Sequence, residues 1–137
     1  WIVSVGRRKL EQPNANSSYD KAKQKVVGFD NLDGHESGFK GIDKASYCLG
    51  IIRAQSGADG FVKADHDYVL HAANKLRKNR CTDFHLLQKK GSNANSWLLY
   101  PSTKGKGEHE VTVLGFNHLS IYRPGLLLCE RDHQRFF

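Results

Sequence analysis

Apolar and polar positions change period several times along the chain, and each change marks an element. "WIVSV" (1–5) is a short apolar run halted by Gly6, the pattern of a buried strand. Residues 11–20, with Pro13, Asn14, Asn16 and adjacent serines, read as a loop. "KVVGF" (25–29) predicts a second strand and "ASYCLG" (45–50) a third. The best-marked helix follows, over about 59–79. Ser56 and Asp59 have the spacing of a capping box. Phe61, Tyr68, Val69, Ala72, Ala73 and Leu76 then recur at helical spacing and form one apolar face. Lys75, Arg77 and Lys78 fall in its last turn, where cations oppose the helix dipole favourably.

"FHLLQ" (84–88) returns to a strand pattern and "KKGSNANS" leads out of it as a polar loop. A second helix is expected over about 97–114, against the resistance of Pro101, Gly105 and Gly107. Proline fits only a first turn, which puts Tyr100 near the helix start. "LSIYRPG" (119–125) closes the pattern as a strand stopped by Pro124 and Gly125. Apolar strands alternating with helices imply a parallel sheet covered on both faces.

Composition narrows the class. The 137 residues suffice for one domain, and 39% hydrophobic with 26% charged residues is ordinary globular usage. No apolar run approaches the ~20 residues of a membrane-spanning helix, and the first ten residues lack the order of a signal peptide. Cys48, Cys81 and Cys129 are odd in number and widely spaced, which suits reduced thiols better than disulfides or a zinc site. The chain opens on Trp1 in mid-strand pattern and contains no methionine, and so reads as a fragment of a longer protein or the product of a damaged gene. A net charge of +7 raises the question of phosphate partners, but no aromatic–basic interleaving or recognition-helix pattern points to direct nucleic-acid binding.

Three short motifs carry chemistry. In "VGRRKL", Arg7 and Arg8 follow a strand with no acid beside them; a guanidinium fork there pairs with a phosphate, or the two are simply exposed charges. In "CLG", Leu49 and Gly50 end a strand where the backbone can approach a flat ligand. In "YPSTK", Tyr100 and Lys104 stand four apart and share a helix face. An ammonium beside a phenol lowers the phenol's pKa and makes it a better proton donor; a solvated surface pair is the alternative.

In this order, and with "DNLD", "GADGFVKADHDYVL", "FHLLQKKG", "YPSTKG" and "LSIYRPGLLLCER", the chain resembles the atypical short-chain dehydrogenase/reductases nearly end to end. The resemblance implies an α/β, Rossmann-like doubly wound parallel sheet in a single partial NAD(P)-binding domain over 1–137. Its implied cofactor is NADP(H), with Arg7 and Arg8 on the 2′-phosphate and Leu49 and Gly50 against the dinucleotide. Tyr100 is then the proton donor or acceptor at a substrate carbonyl, and Lys104 holds the nicotinamide ribose. Leu127 contacts the nicotinamide end, and Arg135 also reaches the cofactor. Family relatives further imply regulation of nuclear import, transcription and apoptosis in the cytoplasm, nucleus or nuclear envelope. The implied partners are importin β-type nuclear transport receptors and transcription-related proteins.

Departures from the family pattern set further expectations. The sheet should be incomplete, lacking the first strand and the glycine-rich turn that cradles a pyrophosphate. Gln88 and Lys89 stand in place of a serine pair whose hydroxyl bonds the substrate carbonyl, with Ser92 no obvious replacement, and Gly28 stands where an aspartate is expected. Cofactor binding should therefore be weakened and catalysis impaired, so that a regulatory protein without enzyme activity is the alternative reading.

Overall fold

The computed structural model describes residues 2–9, 22–50, 53–88, 95, 97 and 99–125. Five strands, all parallel to their neighbours, form two groups. In the first, β1 (Ile2–Gly6) pairs with β2 (Ala22–Val26) in the register Ile2 to Ala22. In the second, β3 (Lys44–Tyr47), β4 (Asp83–Leu87) and β5 (His118–Tyr122) lie in that order, with Phe84 opposite both Ala45 and Leu119. This is the expected incomplete doubly wound sheet.

Strand β2 lies three residues earlier than the sequence pattern placed it. Its residues Lys23, Gln24 and Lys25 are polar, and the apolar Val27 and Phe29 that suggested a strand are buried beyond its end. Val27 still donates its amide to Gly6 O at 2.9 Å. From there Phe29–Gly38 winds as successive 3₁₀ turns, interrupted at Asn31 and His35, and buries Phe29 and Leu32. Strand β3 likewise ends at Tyr47, so Cys48, Leu49 and Gly50 follow it as irregular chain.

The expected helix over 59–79 is part of a longer helical stretch in three pieces: α1 (Arg53–Val62), a π-helical turn (Lys63–Asp67) and α2 (Tyr68–Lys78). Within α1, Gly57 takes φ 71°, a left-handed value that breaks the helix. The non-helical Gly57 separates the two parts of α1, and the Ser56 side chain of the expected capping box lies outside the described residues. Val69, Ala72, Ala73 and Leu76 are buried as the periodicity requires, whereas Tyr68 is only partly so; the side chain of Phe61 lies outside the described residues. Helix α2 ends in a Schellman arrangement: Cys81 N donates to Leu76 O at 3.0 Å and Arg80 N to Arg77 O at 3.1 Å. That turn forces Arg80 to φ 67°.

Helix α3 (Leu99–Val113) starts two residues later than expected, leaving Trp97 91% exposed. Pro101 is its third residue, within the first turn where a missing N–H costs nothing. Helices α2 and α3 contact one another. The core joins Val69, Ala73 and Val111 from these helices to Tyr47, Phe84 and Leu86 from the sheet. Phe84 is fully buried and stacks on Phe116 at 4.9 Å between ring centroids. Burying such side chains contributes about 1.5–3 kcal/mol each.

Among the described residues, the two faces of the β3–β4–β5 group are unequally buried. Burial along β4 alternates: Phe84 and Leu86 are buried, while Asp83, His85 and Leu87 are half-buried. The neighbours in register repeat this, with Ala45, Tyr47, Leu119 and Ile121 on the core face and Lys44, Ser46, His118 and Ser120 on the other. On that second face His85 stacks against Tyr122 and their polar atoms meet at 3.1 Å.

Candidate functional site

The C-terminal ends of β1 and β3 converge on a shallow cleft, open to solvent and lined by Arg7, Phe29, Leu49, Gly50, Ala64 and Tyr68. Its position follows from the parallel topology, because strand ends on one side of the sheet point the following loops the same way. Most of the lining is apolar and one guanidinium stands at its side. Phe29 and Tyr68 meet at 5.5 Å between ring centroids, making an aromatic wall.

Arg7, Leu49 and Gly50, singled out in the sequence, are thus brought together. Arg8 is exposed and is not part of the lining. Gly28 precedes the 3₁₀ segment with open space where a Cβ would stand. The acid near the cleft is Asp30, two residues on. Its carboxylate accepts from the Tyr68 hydroxyl at 2.8 Å and pairs with Lys63 at 2.5 Å. Those two contacts, Lys63 first, hold Asp30 below the usual carboxylate range.

Tyr100 and Lys104 both fall in α3, one turn apart. Lys104 is buried, and its Nζ lies 3.3 Å from Oδ2 of Asp65 in the π-helical turn. Asp65 is only 1% exposed, and sequence reasoning missed it. One residue on, His66 bridges Asp67 at 2.7 Å and Glu110 of α3 at 3.3 Å. Lys104, Gly107 and Glu110 recur at helical spacing, so one stripe of α3 faces the π-turn. Gly107 packs directly against the turn: a Cβ there would lie 3.7 Å from the Asp65 carbonyl oxygen, an ordinary contact. One turn beyond Lys104, the buried Glu108 is held by the Arg123 guanidinium, Nε to Oε1 at 3.0 Å, which ties the helix to the chain after β5.

Gln88, directly after β4, is buried, and its Oε1 finds no donor among the described residues. No hydroxyl stands at that position. Lys89, Ser92, Leu127 and Arg135 lie outside the described residues, as does the Tyr100 side chain. Cys48 and Cys81 are both free thiols, and burial pushes the Cys81 thiol up. No group of three or more metal-ligating side chains occurs among the described residues. No helix among them is long and apolar enough to cross a membrane.

Parallel strands, a cleft at their C-terminal ends and a Tyr-x-x-x-Lys helix describe an α/β protein of Rossmann-like type, and known proteins place it more closely. The chain belongs to the atypical short-chain dehydrogenase/reductases. It is 41% identical to the protein HTATIP2 of Rattus norvegicus over 134 residues, which cover 98% of this chain and 54% of that protein. It is 32% identical to the mitochondrial protein FMP52-2 of Scheffersomyces stipitis over 138 residues, 98% of this chain and 58% of that one. The chain therefore spans little more than half the length of these curated relatives. No protein-family model matches it. Among solved structures, UDP-glucuronic acid 4-epimerase from Bacillus cereus in complex with NAD superposes with a TM-score of 0.67 at 14% identity, covering 89% of this chain and 47% of the epimerase. MoeE5 in complex with UDP-glucuronic acid and NAD gives 0.66 at 12% identity, covering 88% and 44%. Both establish the Rossmann-like fold.

Proposed function

We propose that this chain carries the adenosine half of an NADP(H) site in an oxidoreductase of the short-chain dehydrogenase/reductase type. The cleft at the ends of β1 and β3 is the observation that carries this reading. Its residues fit the group: Phe29, Leu49 and Tyr68 offer apolar walls to a purine, and Gly50 brings backbone close. Arg7 supplies a charge for a 2′-phosphate, joined by Arg8 from the same turn. NADP(H), when bound, supplies hydride chemistry at a carbonyl. Lys104 then binds a ribose hydroxyl, and Tyr100 exchanges a proton with the carbonyl oxygen.

Turnover by this chain should be small. Positioning of reacting groups is worth about 7–11 kcal/mol of barrier, and the described residues include no glycine-rich turn to hold a pyrophosphate. Gln88 replaces a hydroxyl donor, a loss comparable to a missing oxyanion-hole group, about 10²-fold. That substitution favours a second reading, a regulator of nuclear import, transcription and apoptosis acting through importin β-type receptors.

Fluorescence titration with NADPH and NADH tests the first reading. NADPH should bind at least tenfold more tightly, since charge-assisted bonds to phosphate are worth about 1.5–3 kcal/mol each. Replacing Arg7 and Arg8 by alanine should remove the preference, and an unchanged preference would refute the assignment. NADPH oxidation with aldehydes, ketones and quinones should be barely detectable; robust turnover abolished by Tyr100→Phe would overturn the low-activity claim. Calorimetry with a purified importin β-type receptor tests the second reading, which no heat of binding would refute.

A further inference from the structure

We propose that Gln88 is a ligand-binding residue, its side-chain oxygen accepting from a neutral O–H or N–H group. The site it borders then selects an alcohol or amide over a ketone or ester. This goes beyond the cofactor reading and does not depend on it. Gln88 continues the alternation of β4 onto the core face after Phe84 and Leu86, and like them it is buried. Its backbone amide donates to Tyr122 O at 2.7 Å, yet Oε1 finds no donor among the described residues. A buried acceptor left unmet costs stability, and an apolar side chain of similar length would fill the space without that cost. A glutamine kept there on those terms points to a donor that arrives with a ligand.

Neighbouring elements place Gln88 at the cleft end of the sheet. Tyr47 pairs with Leu86, so Leu49, which lines the cleft, follows β3 as Gln88 follows β4. Helix α3 reaches across these strand ends. Its Lys104 meets Asp65, whose Oδ1 lies 3.3 Å from where a Cβ on Gly50 would stand, after β3. One turn on, Glu108 holds Arg123, after β5. Since β4 lies between β3 and β5, its end falls between those two points. Both cations there face a carboxylate, Lys104 with Asp65 and Arg123 with Glu108, so the surroundings call for no charged ligand. The donor is therefore neutral. A ketone or ester offers Oε1 only another lone pair, whereas a hydroxyl or an amide N–H satisfies it.

The probes are cyclohexanol and cyclohexanone, alike in size and differing in the donor. Titrations followed by backbone amide NMR shifts should give a Kd at least tenfold lower for the alcohol, with Gln88 and Tyr122 among the shifted amides. Equal affinities, or no binding of the alcohol, would overturn the proposal. Gln88→Met should bind the two probes equally, and a preference that survives this change would overturn it as well. Urea unfolding without ligand separates a site residue from a structural one. Gln88→Met should be at least as stable as the unaltered protein. A tenfold or greater loss in the unfolding equilibrium, or failure to fold, would show the amide bonded within the protein and refute the assignment. NADPH titration keeps the two readings apart: absence of NADPH binding sinks the cofactor reading, while the comparison of alcohol with ketone still decides what Gln88 does.

Discussion

The Tyr68 hydroxyl donates to Asp30 Oδ1 at 2.8 Å, joining the first turn of α2 to the 3₁₀ segment that closes the cleft from below. Lys63 meets the same oxygen, and Lys75 pairs with Asp33 at 2.6 Å further along. The "DNLD" stretch is thus fastened along one helix.

Asp30 provides a pH test. Its carboxyl is depressed, so it contributes stability above the unfolded value near 4, and loses it as pH falls through the lower folded value. Asp30→Asn should lower the melting temperature at pH 7, and the gap to the unaltered protein should close below about pH 4. Thermal melts across that range check it; a constant gap down to pH 2.5 would contradict the pairing.

His66 has the opposite sign. Burial works to lower its pKa, but the Asp67 and Glu110 carboxylates outweigh burial and raise it overall. Its charged form stabilises the fold fully below about pH 6.5, and that contribution is lost as pH rises through the higher folded value. His66→Gln should cost up to about 1 kcal/mol at pH 5.5 and markedly less at pH 9, by urea unfolding.

Arg80 sits at a left-handed position that glycine occupies without strain. Arg80→Gly should therefore stabilise the protein by about 0.5–1 kcal/mol, read as a higher urea midpoint at unchanged slope.

Gly107 tests the approach of α3 to the π-turn. A Cβ there meets ordinary van der Waals distances, so Gly107→Ala should be nearly neutral. Gly107→Leu should cost about 1–3 kcal/mol by overpacking, again by urea unfolding.

Phe84→Ala should cost about 3–5 kcal/mol, because the ring is wholly buried and stacked on Phe116. Denaturation by urea measures it.

The sequence showed the apolar stripe of α2 plainly, because Val69, Ala72, Ala73 and Leu76 keep helical spacing and all face the core. It showed the helical placing of Tyr100 and Lys104 through the proline two positions from the helix start. Strand β2 was misplaced because its residues are polar, and strand signals weight burial more than hydrogen bonding. Asp65 was invisible for a related reason. "KADHD" has the composition of a solvated face, and tertiary packing, with Gly50 and α3 both close by, buries the middle acid. Gln88 was legible as a departure, but its orphaned oxygen depends on what surrounds the end of β4.

Of the described strands, β4 alone has a ladder on both sides, whereas β1 and β3 each hydrogen-bond on one side only. Resistance to solvent should be graded accordingly. Amide protons of β4 should be the last to exchange with deuterium, tracking global opening, and those of the β1–β2 pair the first, through a sub-global opening that leaves the β3–β4–β5 half intact. Because the cleft takes Arg7 from the first half and Leu49 and Gly50 from the second, a nucleotide seated there would bridge two separately melting units and merge them into one cooperative transition.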